Sequence, residues 1–256
     1  MSTNIVLTNQ KGGVGKTTTT SAIACSLVER RNTKVLAIDL DPQGNLGFSL
    51  GLDIENSSTI YEVLKGEMPL RDAIQSTEYC DVITSNILLS RAELEFTGTG
   101  RESLLKKALE PVKDSYDYIV IDTPPALNVL TVNAYTVADH LIIPMVPEIL
   151  SLLAVTQIKD TIDSVKSSFN PNLNVLGILL TKFNGRTILA REVKEMTENI
   201  ARQIGTKVFQ TQIRSSVTVA EAPAHGESVF DYAPKSNPAL DYRKFVEEIA
   251  PDIHLL

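Results

Sequence analysis

The sequence predicts an α/β fold in which helices flank both faces of a doubly wound, mostly parallel β-sheet. Short β-branched apolar runs alternate with longer segments of helical period along the chain, which is typical of this fold class. Several of these runs are apolar at every position, as expected for strands covered on both faces. The chain has 256 residues and no repeat or long linker. We therefore predict a single domain over residues 1–256.

The apolar runs and stripes place the elements in order. Strands are predicted at residues 5–7, 35–38, 82–83, 118–121, 141–143, 175–180 and 208–209. A helix is expected from the end of a glycine-rich loop to about residue 31. Apolar stripes at helical spacing predict two more helices at residues 155–169 and 189–204, and Gly205 is well placed to end the second.

Composition excludes several classes of protein. Hydrophobic residues make up 43% and charged residues 21%, which excludes a disordered chain. The two cysteines cannot build a disulfide framework or a four-ligand metal site. We expect neither a secretory signal nor a membrane span, because the first residues lack a basic and apolar leader and no apolar run approaches about 18 residues.

A glycine-rich loop between the first strand and the first helix carries the strongest chemical signal. Glycines allow a tight turn that points backbone N–H groups inward, and a helix N-terminus favours anions, so this arrangement predicts a phosphate site. Lys16 is expected to reach the β- and γ-phosphates, and the Thr17 hydroxyl to bind Mg²⁺. The loop consists of Lys11, Gly12, Gly13, Val14, Gly15, Lys16, Thr17 and Thr18.

Acidic residues follow two other predicted strands. Asp39 and Asp41 come directly after the strand at 35–38, and Asp122 follows the strand at 118–121. Ligands of α/β sheets bind at the carboxyl ends of strands. A carboxylate leaving a strand beside the phosphate loop can bind Mg²⁺ directly or through water, so we expect a metal site formed by Thr17, Asp41 and Asp122.

The loop departs from the general phosphate-loop pattern, since Gln10 replaces a glycine and an extra lysine, Lys11, stands near its start. This resembles the deviant Walker A motif of the family that includes ParA, MinD and the nitrogenase iron protein. Together with segments 39–45, 116–125 and 220–226, the motif makes nearly the whole chain resemble the ParA/Soj-type partition ATPases.

The resemblance implies Mg²⁺-dependent hydrolysis of ATP and assigns roles at the site. Lys11 would reach across a dimer to the partner's nucleotide, Asp41 would orient the attacking water with support from Asp39, and Asp122 would be the Walker B carboxylate. Lys11, Lys16 and Asp41 are thus the expected catalytic residues. Segment 220–226 resembles one that flanks an adenine pocket. The residues expected near the base are Thr181, Lys182, Ile213 and Arg214.

The same resemblance implies an ATP-dependent homodimer that binds DNA without sequence preference, and a ParB-type partner that stimulates hydrolysis and release. The expected location is cytoplasmic and nucleoid-associated. The net charge of −7 argues weakly against DNA, but binding depends on local cations, and a dimer doubles their number. Arg186 matches a DNA-contacting arginine of the family, whereas Thr218 stands where an arginine is frequent. The further candidate cations are Arg214, Lys235 and Arg243.

Other functions remain as alternatives. A MinD-like membrane-cycling ATPase needs a C-terminal amphipathic helix with basic flanks, but Glu247, Glu248 and Pro251 favour a docked surface helix, so we expect no membrane partner. A nitrogenase-type reductase needs cluster-binding cysteines, whereas Cys25 and Cys80 are expected to be buried apolar residues. A metabolic ligase would need a second group of convergent polar residues, and the sequence suggests none. Whether the cargo is a chromosome or a plasmid stays open.

Overall fold

The computed structural model describes residues 2–31, 33–54 and 57–255. These residues form seven strands: β1 (Thr3–Leu7), β2 (Val35–Asp39), β3 (Gln75–Ser76), β4 (Asp81–Ile83), β5 (Tyr118–Asp122), β6 (His140–Met145) and β7 (Asn174–Leu180). The helices are α1 (Lys16–Arg31), α2 (Asn45–Ser49), α3 (Ile60–Lys65), α4 (Ala92–Glu95), α5 (Leu104–Leu109), α6 (Val129–Val137), α7 (Ile149–Ser168), α8 (Ile188–Gln203), α9 (Thr218–Ala224), α10 (Val229–Tyr232) and α11 (Asn237–Ile249). Short 3₁₀ helices occupy Leu70–Ala73, Ile87–Arg91 and Arg101–Ser103.

The strands formed by the described residues lie in one sheet of order β3-β4-β2-β5-β1-β6-β7. All neighbouring strands are parallel except β3, which pairs antiparallel with β4. The order reverses direction on either side of β1, so the fold is doubly wound, as the alternating pattern predicts.

Alternating side chains of the central strands pack into two hydrophobic cores, one on each face of the sheet. Val6 and Leu36 face a core built with α3 and α5–α8, whereas Ile5 and Ala37 face a core built with α1 and α11. Successive residues of a strand point to opposite faces, so a strand covered on both sides must be apolar throughout. β2 and β5 are accordingly buried at every position.

The predicted strand at 208–209 is wrong. Val208 forms only a single bridge with Ile178, and the backbone N–H of Phe209 donates to the Ile178 carbonyl at 3.0 Å. The Phe209 ring fills the space that a side chain at Gly177 would occupy, with a ring carbon 2.6 Å from an ideal Cβ position there. Val208 and Phe209 therefore pack against the sheet and do not form a further strand of it.

The helices at the expected positions end as the sequence indicates. α8 is followed by Gly205 in the left-handed conformation, with φ 74°. No helix formed by the described residues has the length and apolar composition needed to cross a lipid bilayer.

Candidate nucleotide-binding site

A cleft of about 970 Å³ opens at the carboxyl edge of the sheet. The register brings the strand ends together there, since Leu7 and Asp39 both pair with Asp122 on the neighbouring strand β5. One end of the cleft is the glycine-rich loop and the other is the segment around residues 213–217. The cleft therefore joins the predicted phosphate loop to the predicted base-side residues.

The phosphate loop is held by the strands on its flank. Gly13 and Gly15 adopt left-handed conformations, with φ 73° and 88°. The Thr181 hydroxyl donates to the Val14 carbonyl at 2.7 Å, which anchors the middle of the loop to the end of β7. Residues 12–13 and 15–18 line the cleft, whereas the Val14 side chain is buried beneath the loop.

Lys16 lies at the start of α1 with its side chain aimed back along the loop. Its Nζ donates to the Lys11 carbonyl at 3.3 Å. Burial lowers the pKa of Lys16, and the carboxylates of Asp122 and Asp41 oppose this shift. An anion bound in the loop would favour the charged form of the amine.

The carboxylate of Asp122 has surroundings that fit a Mg²⁺ ligand. It is fully buried at the end of β5, and its Oδ2 accepts a hydrogen bond from the Thr17 hydroxyl at 2.5 Å. Its Oδ1 has no hydrogen-bond partner among the described residues. Burial raises the pKa of Asp122 to about 7. Mg²⁺ prefers oxygen ligands, so the unpartnered oxygen beside a threonine hydroxyl fits this ion.

Asp39 and Asp41 occupy different environments although they are two residues apart. Asp39 is fully buried, and its two oxygens accept from the backbone N–H groups of Asp41 and Leu46, at 2.9 and 3.0 Å. Burial, followed by the nearby Asp122, raises the pKa of Asp39 well above its ordinary value. Asp41 lines the cleft. The structure thus places Asp39 as a brace of the loop that carries Asp41.

The predicted base-side residues all line the cleft, but they do not share one end of it. Thr181 lies against the phosphate loop through its hydrogen bond to Val14, whereas Ile213 and Arg214 belong to the segment around residues 213–217. The Phe183 N–H donates to the Ile213 carbonyl at 2.9 Å, which holds the two segments side by side. Lys182 has a left-handed backbone, with φ 49°, and such strained residues cluster at functional sites.

Lys11 is bound within its own subunit. Its Nζ forms an ion pair with Glu148 and lies 3.3 Å from the Ser151 hydroxyl. Both partners belong to the start of α7, so the lysine extends away from the loop toward this helix. Glu148 and Ser151 were not predicted. The available signal was their position directly after β6, the neighbour of β1 in the sheet.

The first turns of α7 expose an apolar patch beside this ion pair. Ile149, Leu150 and Leu153 are 60%, 69% and 60% exposed. Exposed apolar groups of this kind mark interaction surfaces. Lys11 and this α7 patch thus lie at one rim of the molecule.

The four predicted DNA-binding cations separate into two groups. Arg186 is exposed, and Phe183 in the same loop pairs with Arg214 through an isolated bridge. Arg214 itself is bound by Asp241 on α11. Arg243 of α11 pairs instead with Glu29 of α1 at 3.1 Å and donates to the carbonyl of Pro234, the residue before Lys235.

A further cation, missed from the sequence, joins the first group. Lys244 lines a recess of about 340 Å³ together with Gly185 and Arg214. The periodicity of α11 alone could not reveal this, because it marks which residues are exposed but not which loop lies nearby.

The fold and the site define a nucleotide-binding protein of the P-loop class with a deviant Walker A lysine. A protein family described as "AAA domain" matches residues 2–175. The sporulation initiation inhibitor protein Soj of Bacillus subtilis is 39% identical over 250 residues, covering 96% of this chain and 97% of Soj. The chromosome partitioning protein ParA of Caulobacter vibrioides is 39% identical over 251 residues, covering 96% of this chain and 92% of ParA.

Among solved structures, cobyrinic acid a,c-diamide synthase from Mycobacterium smegmatis with bound ADP and magnesium is 35% identical with a TM-score of 0.84. The likeness covers 96% of this chain and 93% of that one. This chain belongs to the ParA/Soj-type family of partition ATPases.

Proposed function

We propose that this ATPase forms a dimer around ATP, binds DNA non-specifically as a dimer, and leaves DNA when a ParB-type partner stimulates hydrolysis. The observation that carries the proposal is the position of Lys11 beside the exposed apolar α7 patch. A cation that points out of its own phosphate site toward an exposed apolar surface suits a site completed by a second copy.

ATP would bind with its phosphates in the loop and its base against the segment around residues 213–216. Backbone N–H groups and Lys16 hold the phosphates, with the N-terminus of α1 adding favourable charge. Thr17, Asp122 and Asp41 would hold Mg²⁺, directly or through water. The ion neutralises charge on the phosphates when it is bound.

Hydrolysis requires positioning and charge stabilisation, with no covalent intermediate. Asp41 lines the cleft, where its carboxylate can orient the attacking water. Asp39 fixes the backbone of that loop through its two N–H contacts. Lys11 of the opposite subunit would stabilise the charge that develops on the phosphates.

Dimerisation requires Lys11 to leave Glu148 and Ser151. The exposed ion pair contributes little on its own, so exchange for a triphosphate of higher charge is favourable. The apolar α7 patch would be buried at the same time, which adds hydrophobic stabilisation. This couples nucleotide binding to association.

DNA binding would use the exposed Arg186 together with Lys244, which lines the recess that also includes Gly185, the residue before Arg186 in the chain. Affinity for DNA falls with salt in proportion to the number of phosphates neutralised. One subunit offers few such contacts, and a dimer doubles them. The threonine at position 218 makes Arg186 and Lys244 more important here.

The name of the M. smegmatis structure denotes a synthase and therefore a different activity. We favour partition because Soj and ParA are more similar to this chain, at 39% identity against 35%, over the same share of its length.

The decisive experiment is a DNA titration of the full chain with ADP, ATP or a slowly hydrolysed analogue, at two salt concentrations. We expect retention of DNA only with ATP or the analogue, and weaker binding at the higher salt. Arg186→Glu should abolish retention while ATP binding is kept, whereas Lys106→Glu, an exposed cation on α5, should behave as wild type. Equal DNA retention with ADP would refute the ATP-dependent cycle.

The partner's role is tested separately. Adding a ParB-type protein and DNA together should raise the rate of ATP hydrolysis above that with either alone. An unchanged rate with a partner encoded beside this protein would contradict that part of the proposal.

A further inference from the structure

Two consecutive residues of α11 connect the opposite ends of the cleft. Asp241 and Tyr242 are 8% and 1% exposed. Asp241 contacts the base-side segment and Tyr242 contacts the helix that follows the phosphate loop. Neither residue is among the site residues predicted from the sequence.

Asp241 fixes Arg214 by four hydrogen bonds. Its Oδ2 accepts from the Arg214 backbone N–H at 3.0 Å and from Nε at 2.9 Å, and its Oδ1 accepts from Nη2 at 2.7 Å and from Nε at 3.2 Å. Bidentate pairs of this kind define the plane of the guanidinium as well as its position. Arg214 remains about half exposed and lines both the cleft and the neighbouring recess. The pair with Asp241 therefore holds an otherwise mobile side chain in one place at the edge of the cleft.

Tyr242 ties the same helix to the phosphate loop. Its hydroxyl lies 3.0 Å from the Thr19 hydroxyl in the core, where both side chains are buried. The Thr19 N–H donates to the Gly15 carbonyl at 2.9 Å, in the first turn of α1. α11 therefore sets the separation between Arg214 and Gly15.

We infer that Asp241 is a positioning residue for the nucleoside part of the bound nucleotide. It holds the Arg214 wall at the distance from the phosphate loop that a base and ribose require, with Tyr242 as the second fixed point. The carboxylate also neutralises Arg214, which keeps the guanidinium from turning toward the triphosphate. This inference rests on the proposed nucleotide site. It adds which residues give that site its affinity for the base and ribose.

The consequence is a separation of two contributions to affinity. Contacts to the phosphates depend on the glycine-rich loop and Lys16, which Asp241 does not touch. Contacts to the base depend on the wall at Arg214. Loss of Asp241 should weaken the binding of nucleotides and leave the binding of an inorganic phosphate chain unchanged.

The test compares ATP with inorganic tripolyphosphate, each with Mg²⁺, by calorimetry on the full chain. Asp241→Asn keeps one oxygen for the Arg214 N–H and loses the charge and the second acceptor. We expect its Kd for ATP to rise about tenfold, as for loss of a charge-assisted hydrogen bond, with an unchanged Kd for tripolyphosphate. Glu29→Gln is the matched control, because it removes the other arginine–carboxylate pair of α11 outside the cleft.

Tyr242→Phe provides an independent variant that removes only the hydroxyl contact with Thr19. This variant should also bind ATP more weakly while its affinity for tripolyphosphate is unchanged. It tests the inference on its own if Asp241→Asn does not fold. Equal losses for ATP and tripolyphosphate, or no loss for either ligand, would overturn the inference. Absence of ATP binding by the wild-type protein would instead refute the nucleotide site on which the inference depends.

Discussion

At the residue scale, three carboxylates close together at the phosphate loop have different hydrogen-bond partners. Each oxygen of Asp39 accepts a backbone N–H, Asp122 keeps one oxygen without a partner among the described residues, and Asp41 lines the cleft. Buried carboxylates are costly unless they are hydrogen-bonded or bind a cation. This difference suits Asp39 to bracing the loop, whereas Asp122 and Asp41 stay the residues proposed for the metal and the water.

Asp41→Ala tests the proposed catalytic role. We expect ATP turnover to fall at least about 100-fold, the usual contribution of a positioned acid–base group, while ATP still binds because Lys16 and the loop are intact. Single-turnover hydrolysis and ATP titration measure the two quantities. Gln43→Ala, an exposed change in the same loop, should hydrolyse ATP normally. Unchanged turnover in Asp41→Ala would remove the residue from the mechanism.

The pKa of Asp122 gives a prediction about stability and pH. Burial raises this pKa to about 7, so between about pH 4 and pH 7 the folded chain binds more protons than the unfolded chain. The stability contributed by this group is therefore lost as the pH rises through that window. Without Mg²⁺, Asp122→Asn should be more stable than wild type, and by a larger margin at about pH 8 than at about pH 5.

Urea unfolding at the two pH values measures the margin. Glu110→Gln, an exposed change on the surface, serves as the control and should show no pH-dependent difference. A margin that shrinks as the pH rises would show that Asp122 is not held in an unfavourable buried environment.

At the scale of elements, two short helices form the rim of the cleft and meet through glycines. Gly51 follows α2, which continues from the Asp41 loop, and Gly226 follows α9. Both residues are left-handed, with φ 80° and 67°. A Cβ on Gly226 would lie 2.8 Å from the Gly51 Cα, so a side chain at position 226 would collide with the Gly51 backbone.

Gly226→Ala and Gly205→Ala separate strain from steric clash. Gly205 is also left-handed, but no atom lies within 4 Å of a Cβ placed there. We expect Gly205→Ala to lower the free energy of unfolding by about 1 kcal/mol. Gly226→Ala should cost about 2 kcal/mol or more, because overpacking adds to the strain. Equal losses in urea unfolding would contradict a tight α2–α9 contact.

At the scale of the whole molecule, the proposed binding of DNA, a polyanion, has to be reconciled with a net charge of −7. Carboxylates partner several cations within the chain, among them Lys11, Arg214 and Arg243. Under the proposed function, the cations that meet DNA are local, and association of two copies doubles their number.

Leu150→Glu tests that association. A charge at this 69% exposed position should prevent burial of the α7 patch, so light scattering should find a monomer at saturating ATP. ATP affinity of the monomer should be unaffected, since Leu150 does not line the cleft. Leu94→Glu, on α4 and 82% exposed, should still dimerise. A normal dimer with Leu150→Glu would place the interface elsewhere.

The sequence by itself indicated the fold class, the glycine-rich loop and the positions along the chain of six of the seven strands that the described residues form. These features depend on local periodicity and on glycine, lysine and aspartate at fixed short spacings, which are readable along the chain. It misjudged residues 208–209 because an apolar pair satisfies a core contact as well as a strand, and only the packing of Phe209 on Gly177 distinguishes the two.

Only the tertiary structure decided which charged groups meet. Lys11 and Glu148 are 137 residues apart, and Arg214 and Asp241 are 27 apart. No periodicity encodes such pairings, because they depend on which strand ends adjoin and on which face of α11 lies over the cleft. The sequence therefore indicated the glycine-rich loop and its lysines, and the fold decided that Lys11 pairs with Glu148 and Arg214 with Asp241.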